Sequence, residues 1–126
     1  MSDMLKEAHT VLPAKDLQRA RQYYHDKLGL DPDQEHEGLV TYHTDGGTYF
    51  DLYETPNAGT AQNTQMCWST DDIEAEMRQL REHGVVFEDY DVPGLKTVDG
   101  IATDADMRTA WFRDSEGNFL CVTQML

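Results

Sequence analysis

Two stretches of this chain, KDLQRARQYYHDKLGL (15–30) and DDIEAEMRQLREHGVV (71–86), read as one element written twice. In the first, Leu17, Ala20, Tyr24 and Leu28 recur at helical spacing behind Asp16, whose side chain suits a helix N-cap, and the run stops at Gly29. In the second, Ile73, Met77 and Leu80 recur in the same way behind Asp71 or Asp72, and the run stops at Gly84. A repeat of this kind confines the fold to architectures built from two copies of one unit.

The flanks repeat as well. A short alternating segment precedes each helix, EAHTVLP (7–13) and NTQMCWS (63–69). Strand-like segments follow the first helix at 30–36, 38–44 and 48–54, with Asp45-Gly46-Gly47 as a hairpin turn between the last two. After the second helix come VVFEDYD (85–91), an irregular stretch at 92–106, RTAWFRD (108–114), a turn at 115–118 and a closing strand through FLCVT. The spacing therefore predicts an α+β domain of two tandem βαβββ modules, 1–56 and 63–126, joined by the Pro- and Gly-containing linker PNAGTAQN. The whole chain, 126 residues, suits a single compact domain. The 92–106 stretch reads as a pocket edge.

Charge bounds the partners. With 24 acidic and 10 basic residues the formal charge is −14, which disfavours phosphate backbones and anionic lipids and attracts cationic ligands. We expect no nucleic-acid partner and no membrane association. Cys67 and Cys121 stand far apart without CxxC spacing, so neither a disulfide framework nor a zinc-finger pattern is written here. MSDMLKEAHT has no basic region leading into an apolar run, which points to a soluble, cytoplasmic protein.

Strand alternation sorts side chains onto two faces. Tyr49, Asp51 and Tyr53 share one face, as do Gln65, Cys67 and Ser69, while Phe119, Cys121 and Thr123 oppose Leu120 and Val122. Superposing the modules on Asp16 and Asp72 carries His9 onto Gln65; superposing their last hairpins on Gly47 and Gly117 carries Asp51 onto Cys121. Polar residues scattered on a solvated sheet would give the same pattern. However, Tyr49, Tyr53 and Phe119 are unusual as fully exposed side chains, and together they suggest a lined cavity. Trp111 fits either that lining or the core. His25 and His83 lie near helix ends and should face water, and His43 is a further candidate for the lining.

Through HTVLPAKDLQRARQYYHDKLGL, WSTDDIEAEMRQLREHG and WFRDSEGNFLCV, in that order, nearly the whole chain resembles the vicinal oxygen chelate superfamily: glyoxalase I, extradiol dioxygenases and bleomycin resistance proteins. The resemblance implies that the modules form a curled mixed sheet around a central cavity, and it implies a homodimer. It also implies metal ligands on the first and last strand of each module, which here are His9, Asp51, Gln65 and Cys121. His9 conforms to the family pattern. Asp51 stands where Glu is common, Gln65 where His is usual, and Cys121 where a closing Glu both binds metal and moves protons.

That donor set is poor. Hard cations prefer carboxylate and imidazole, an amide carbonyl is a weak ligand, and a thiolate suits zinc. We therefore expect no resident cofactor, zinc being the metal these donors would suit, and a cavity lined by Tyr49, Tyr53, Cys67, Trp111 and Phe119 that binds an aromatic or cationic organic molecule. The alternative is a metal-dependent lyase, isomerase or dioxygenase with a modified ligand set.

Overall fold

A computed structural model describes residues 4–126. The first three positions of the expected first module lie outside the described residues. The elements run β1 (Thr10–Ala14), α1 (Leu17–Leu28), β2 (Gln34–His36), β3 (Leu39–His43), β4 (Tyr49–Glu54), β5 (Thr64–Ser69), α2 (Ile73–Glu82), β6 (Asp91–Val92), β7 (Leu95–Lys96), β8 (Ala102–Thr103), β9 (Met107–Arg113) and β10 (Phe119–Met125).

The duplication seen in the sequence is the topology. One sheet has strand order β1-β4-β3-β2 and the other β5-β10-β9-β8. In each, the first strand runs parallel to the last and the remaining pairs are antiparallel. Even the register repeats: Val11 faces Asp51 as Cys67 faces Cys121, and Thr41 faces Asp51 as Trp111 faces Cys121. The two superpositions made on the sequence therefore align true structural equivalents. β1 and β5 meet side by side, and together the sheets form an unclosed, curled wall.

Local chemistry sets the helix limits. The Asp16 side chain accepts a hydrogen bond from the Arg19 backbone N–H, and Asp72 does the same for Ala75, each satisfying a donor that the first turn leaves free. Asp72, not Asp71, is thus the second cap. Gly29 closes α1 at φ 69°, a left-handed conformation that a side chain would resist.

The helices cover one face of the sheets. Ala20 and Tyr24 of α1 and Ile73 and Met77 of α2 join Leu12, Val40, Tyr42, Phe50, Leu52, Phe112, Leu120 and Val122 in one buried cluster. Trp68 links the modules, stacked on Phe112 with centroids 6.3 Å apart and edge-on to Phe50 at 5.9 Å.

Four expectations need correction. The segment 85–91 is not a strand: Val85 and Phe87 are buried, but Phe87 makes only an isolated bridge to Phe112, and the chain turns into the β6–β7 hairpin instead. The stretch 92–106 is consequently less irregular than expected, containing β7 and β8. The first strand begins at Thr10 rather than Glu7: Thr10 pairs with Phe50, and because β4 begins at Tyr49, Glu7 and Ala8 have no residue of that strand to pair with. Likewise β2 begins at Gln34, after Asp31-Pro32, where proline lacks the ladder donor.

Candidate functional site

The sheet face away from the helices carries the residues singled out from the sequence. On the first module, the Thr41 hydroxyl donates to Asp51 Oδ1 at 2.6 Å, and His9 Nε2 lies 3.0 Å from Asp51 Oδ2. His9 stacks on Tyr49 with centroids 4.4 Å apart. The Asp51 carboxylate is thereby held in place while only 7 % of the residue is exposed. Tyr49 is half-buried, and Tyr53 stays open at 38 %.

On the second module, Gln65 is bound at both ends of its amide: Nε2 donates to Asn118 Oδ1 at 3.0 Å and Oε1 accepts from the Phe119 backbone N–H at 2.9 Å. Cys121 is buried beside Cys67, its partner on the parallel neighbouring strand, and Cys67 is exposed. The Thr123 hydroxyl sits 2.9 Å from Cys67 Sγ and 4.0 Å from Cys121 Sγ. The neighbouring Cys121 thiol and then the Thr123 hydroxyl favour the Cys67 thiolate and lower its pKa to about 7, against burial, while nearness to Cys67 and burial raise that of Cys121. Trp111 belongs to this face, half-buried opposite Cys121, with its indole N–H on Thr64 Oγ1. Phe119 is half-buried beneath the Arg113 guanidinium, 4.6 Å from the ring centroid.

The structure thus brings His9 to Asp51 and Cys121 to Cys67, and it ties Gln65 to Asn118. That arrangement does not fit the metal expected of the four positions. Both Gln65 amide atoms are already hydrogen-bonded, and among the described residues no three His, Cys, Asp or Glu side chains converge. Metal coordination generally requires three or four donors aimed at one point.

Two concavities adjoin the sheets. One of about 700 Å³ lies between the modules, lined by Leu28, Leu30, His43, Cys67, Trp68 and Leu80 among others, a volume and polarity that suit a small organic molecule. His43 therefore does line a pocket, although it is exposed and bonded to Asp33. A larger groove of about 920 Å³ between α2 and the 96–103 segment holds Arg78, Arg81, Lys96 and Arg108 and none of the candidate site residues. Of the five residues expected to line a cavity, Cys67 alone borders the first concavity; Tyr49, Tyr53, Trp111 and Phe119 do not, and Trp68, Leu80, Phe112 and Val122 place it against the helix-facing core.

Sequence reasoning missed the joint beneath the site. In the turn between β9 and β10, Asp114 accepts from the Tyr24 hydroxyl at 2.7 Å and from the Asn118 side chain, which also donates to the Pro13 carbonyl. Glu116 accepts from Arg19 at two atoms, 2.9 and 3.0 Å, and from the Asp16 backbone N–H. Burial alone would push the Glu116 carboxyl upward, but these donors outweigh it and hold it at about 2; burial dominates at Asp114 and raises it. The run DSEGN contained the signal, a turn with two acids and an amide, but nothing in it names partners about a hundred residues away.

Residues 6–122 match the model of the Glyoxalase/Bleomycin resistance protein/Dioxygenase superfamily, and the chain belongs to that family. Three solved structures share the fold. TnmS3, an antibiotic binding protein from Streptomyces sp. CB03234, is 22% identical over 100% of both chains with a TM-score of 0.73. UcmS2 is 17% identical over 94% of this chain and 97% of its own, with a TM-score of 0.70. A Bacillus anthracis protein described as a glyoxalase family member is 14% identical over 100% of both chains, with a TM-score of 0.75. No curated protein matches the sequence.

Proposed function

We propose that this protein captures an aromatic or cationic organic molecule on the sheet face opposite its helices, without the metal centre common in its family. The observation that carries this is the company Asp51 keeps: an almost buried carboxylate, fixed by Thr41 and His9, beside Tyr49 and near Tyr53, which remain accessible. Aromatic faces give stacking and apolar burial to a flat ligand, and a desolvated carboxylate gives a cation a partner. The net charge of −14 raises the local concentration of such a ligand. TnmS3, with the same fold, is an antibiotic binding protein, which supports the class of ligand.

The protein acts, in this reading, as a homodimer. Val11 stays 46 % exposed on strand β1, where a second copy would cover it.

A thermal-shift screen against basic aromatic antibiotics, thiohemiacetals and catechols identifies the ligand class. For a basic aromatic hit, Asp51→Asn should weaken binding about tenfold or more, equivalent to the loss of one charge-assisted contact. Undiminished affinity in that variant would place the ligand elsewhere.

A further inference from the structure

We propose that Cys67 and Cys121 form an oxidation-sensitive dithiol, which closes into an intramolecular disulfide when a hydroperoxide reaches Cys67. The two residues are direct register partners on the parallel strands β5 and β10, and strand alternation sends both side chains to the same face. Neighbouring strands lie about 4.8 Å apart, inside the range of about 4.4–6.8 Å between Cα atoms that a disulfide spans, so the strands need not separate or slide. Both sulfurs gather around one hydroxyl, that of Thr123, 2.9 Å from Cys67 Sγ and 4.0 Å from Cys121 Sγ.

Access divides the roles. Cys67 is exposed and lines the groove of about 700 Å³ between the modules, where a small oxidant can enter. Cys121 is 4 % exposed, shielded from bulk reagent yet adjacent to its partner. The Cys67 thiolate attacks the peroxide oxygen, its sulfur gaining that oxygen as a sulfenic acid while the O–O bond breaks and the peroxide leaves as an alcohol or water. The Cys121 sulfur then attacks the Cys67 sulfur, the S–O bond breaks, and the oxygen departs with the thiol proton as water. The peroxide is reduced by two electrons and the dithiol is oxidised by two. The product ties the edge strand β5 covalently to β10 and withdraws the Cys67 sulfur from the groove wall. Module one has Val11 and Asp51 at the equivalent positions, so this device exists in one half of the duplication alone.

The full chain, reduced and freed of reductant, is treated with a slight molar excess of hydrogen peroxide, and thiols are counted under denaturing conditions alongside the intact mass. We expect both thiols to disappear together, the mass of the single chain to fall by about 2 Da, and dithiothreitol to restore both values. Cys121→Ser should instead gain oxygen at Cys67, in steps of about 16 Da, because the resolving thiol is gone. Retention of both thiols, addition of oxygen at Cys67 in the wild type while Cys121 stays free, or a cross-link between chains would each overturn the proposal.

Discussion

Glu116 is a carboxylate with a fully covered side chain facing an arginine that is half exposed, and that asymmetry sets what the pair does. Its folded pKa lies below the ordinary value of 4.5, at about 2, so it stabilises the fold above about pH 4.5, and the contribution disappears as pH falls through that window. Asp114 works in the opposite direction: its raised pKa means that protonation relieves a buried charge and returns part of the loss. Replacing Glu116 by Gln should therefore cost about 2 kcal/mol at neutral pH, less than a fully buried pair would, since Arg19 regains water. Urea denaturation as a function of pH tests this, with the variant expected to show a flatter decline between pH 4.5 and 2. An equally steep decline in the variant would assign the acid sensitivity to other groups. At the same scale, Gln65 shows why a ligand set transfers poorly from a motif: the residue stands at the expected position, but Asn118 and the Phe119 amide occupy both its functional atoms.

Helices were the most legible elements, because their signals are local. Asp16, Gly29 and Asp72 cap where capping chemistry places them, and Ala20, Tyr24, Ile73 and Met77 are the buried faces that the periodicity marked. Asp72→Ala should cost about 1 kcal/mol, read as a lowered Tm with unchanged cooperativity, whereas Asp71→Ala should be near neutral. The hairpins around Asp45–Gly47 and Asp114–Asn118 were also readable from turn residues and alternation. The segment 85–91 was not, since VVFEDYD alternates like a strand. The Glu88 and Tyr90 backbone N–H groups instead donate to the Trp111 carbonyl and the Thr97 hydroxyl, on segments that only the fold brings alongside. The β6–β7 hairpin failed to register for a related reason: two-residue strands are too short to show a period. Alternation sorted Tyr49 with Asp51, and separately marked the faces of Cys67 and Cys121, as the strand register does. It could not say that Cys67 and Cys121 are register partners, because register between strands more than fifty residues apart is decided by the fold.

Across the whole molecule, one unit is used twice with the chemistry divided between the copies. The first module supplies imidazole, carboxylate and two tyrosines; the second supplies two thiols, an indole and a committed amide. Both copies bury the same helix-facing layer, so the fold leaves the opposite face free to vary. Among the described residues no helix is long and apolar enough to cross a membrane. In the second module the Gln65 amide, at one of the four positions where the family resemblance implied a metal ligand, is hydrogen-bonded at both ends to the protein itself.

The most direct measurement is equilibrium binding of the organic ligand found by screening, made by calorimetry on protein purified without added metal, with and without excess EDTA. We predict saturable binding with the same affinity in both conditions, and elemental analysis of the same sample well below stoichiometric metal. Binding that vanishes with EDTA and returns when zinc or another divalent ion is restored would contradict it.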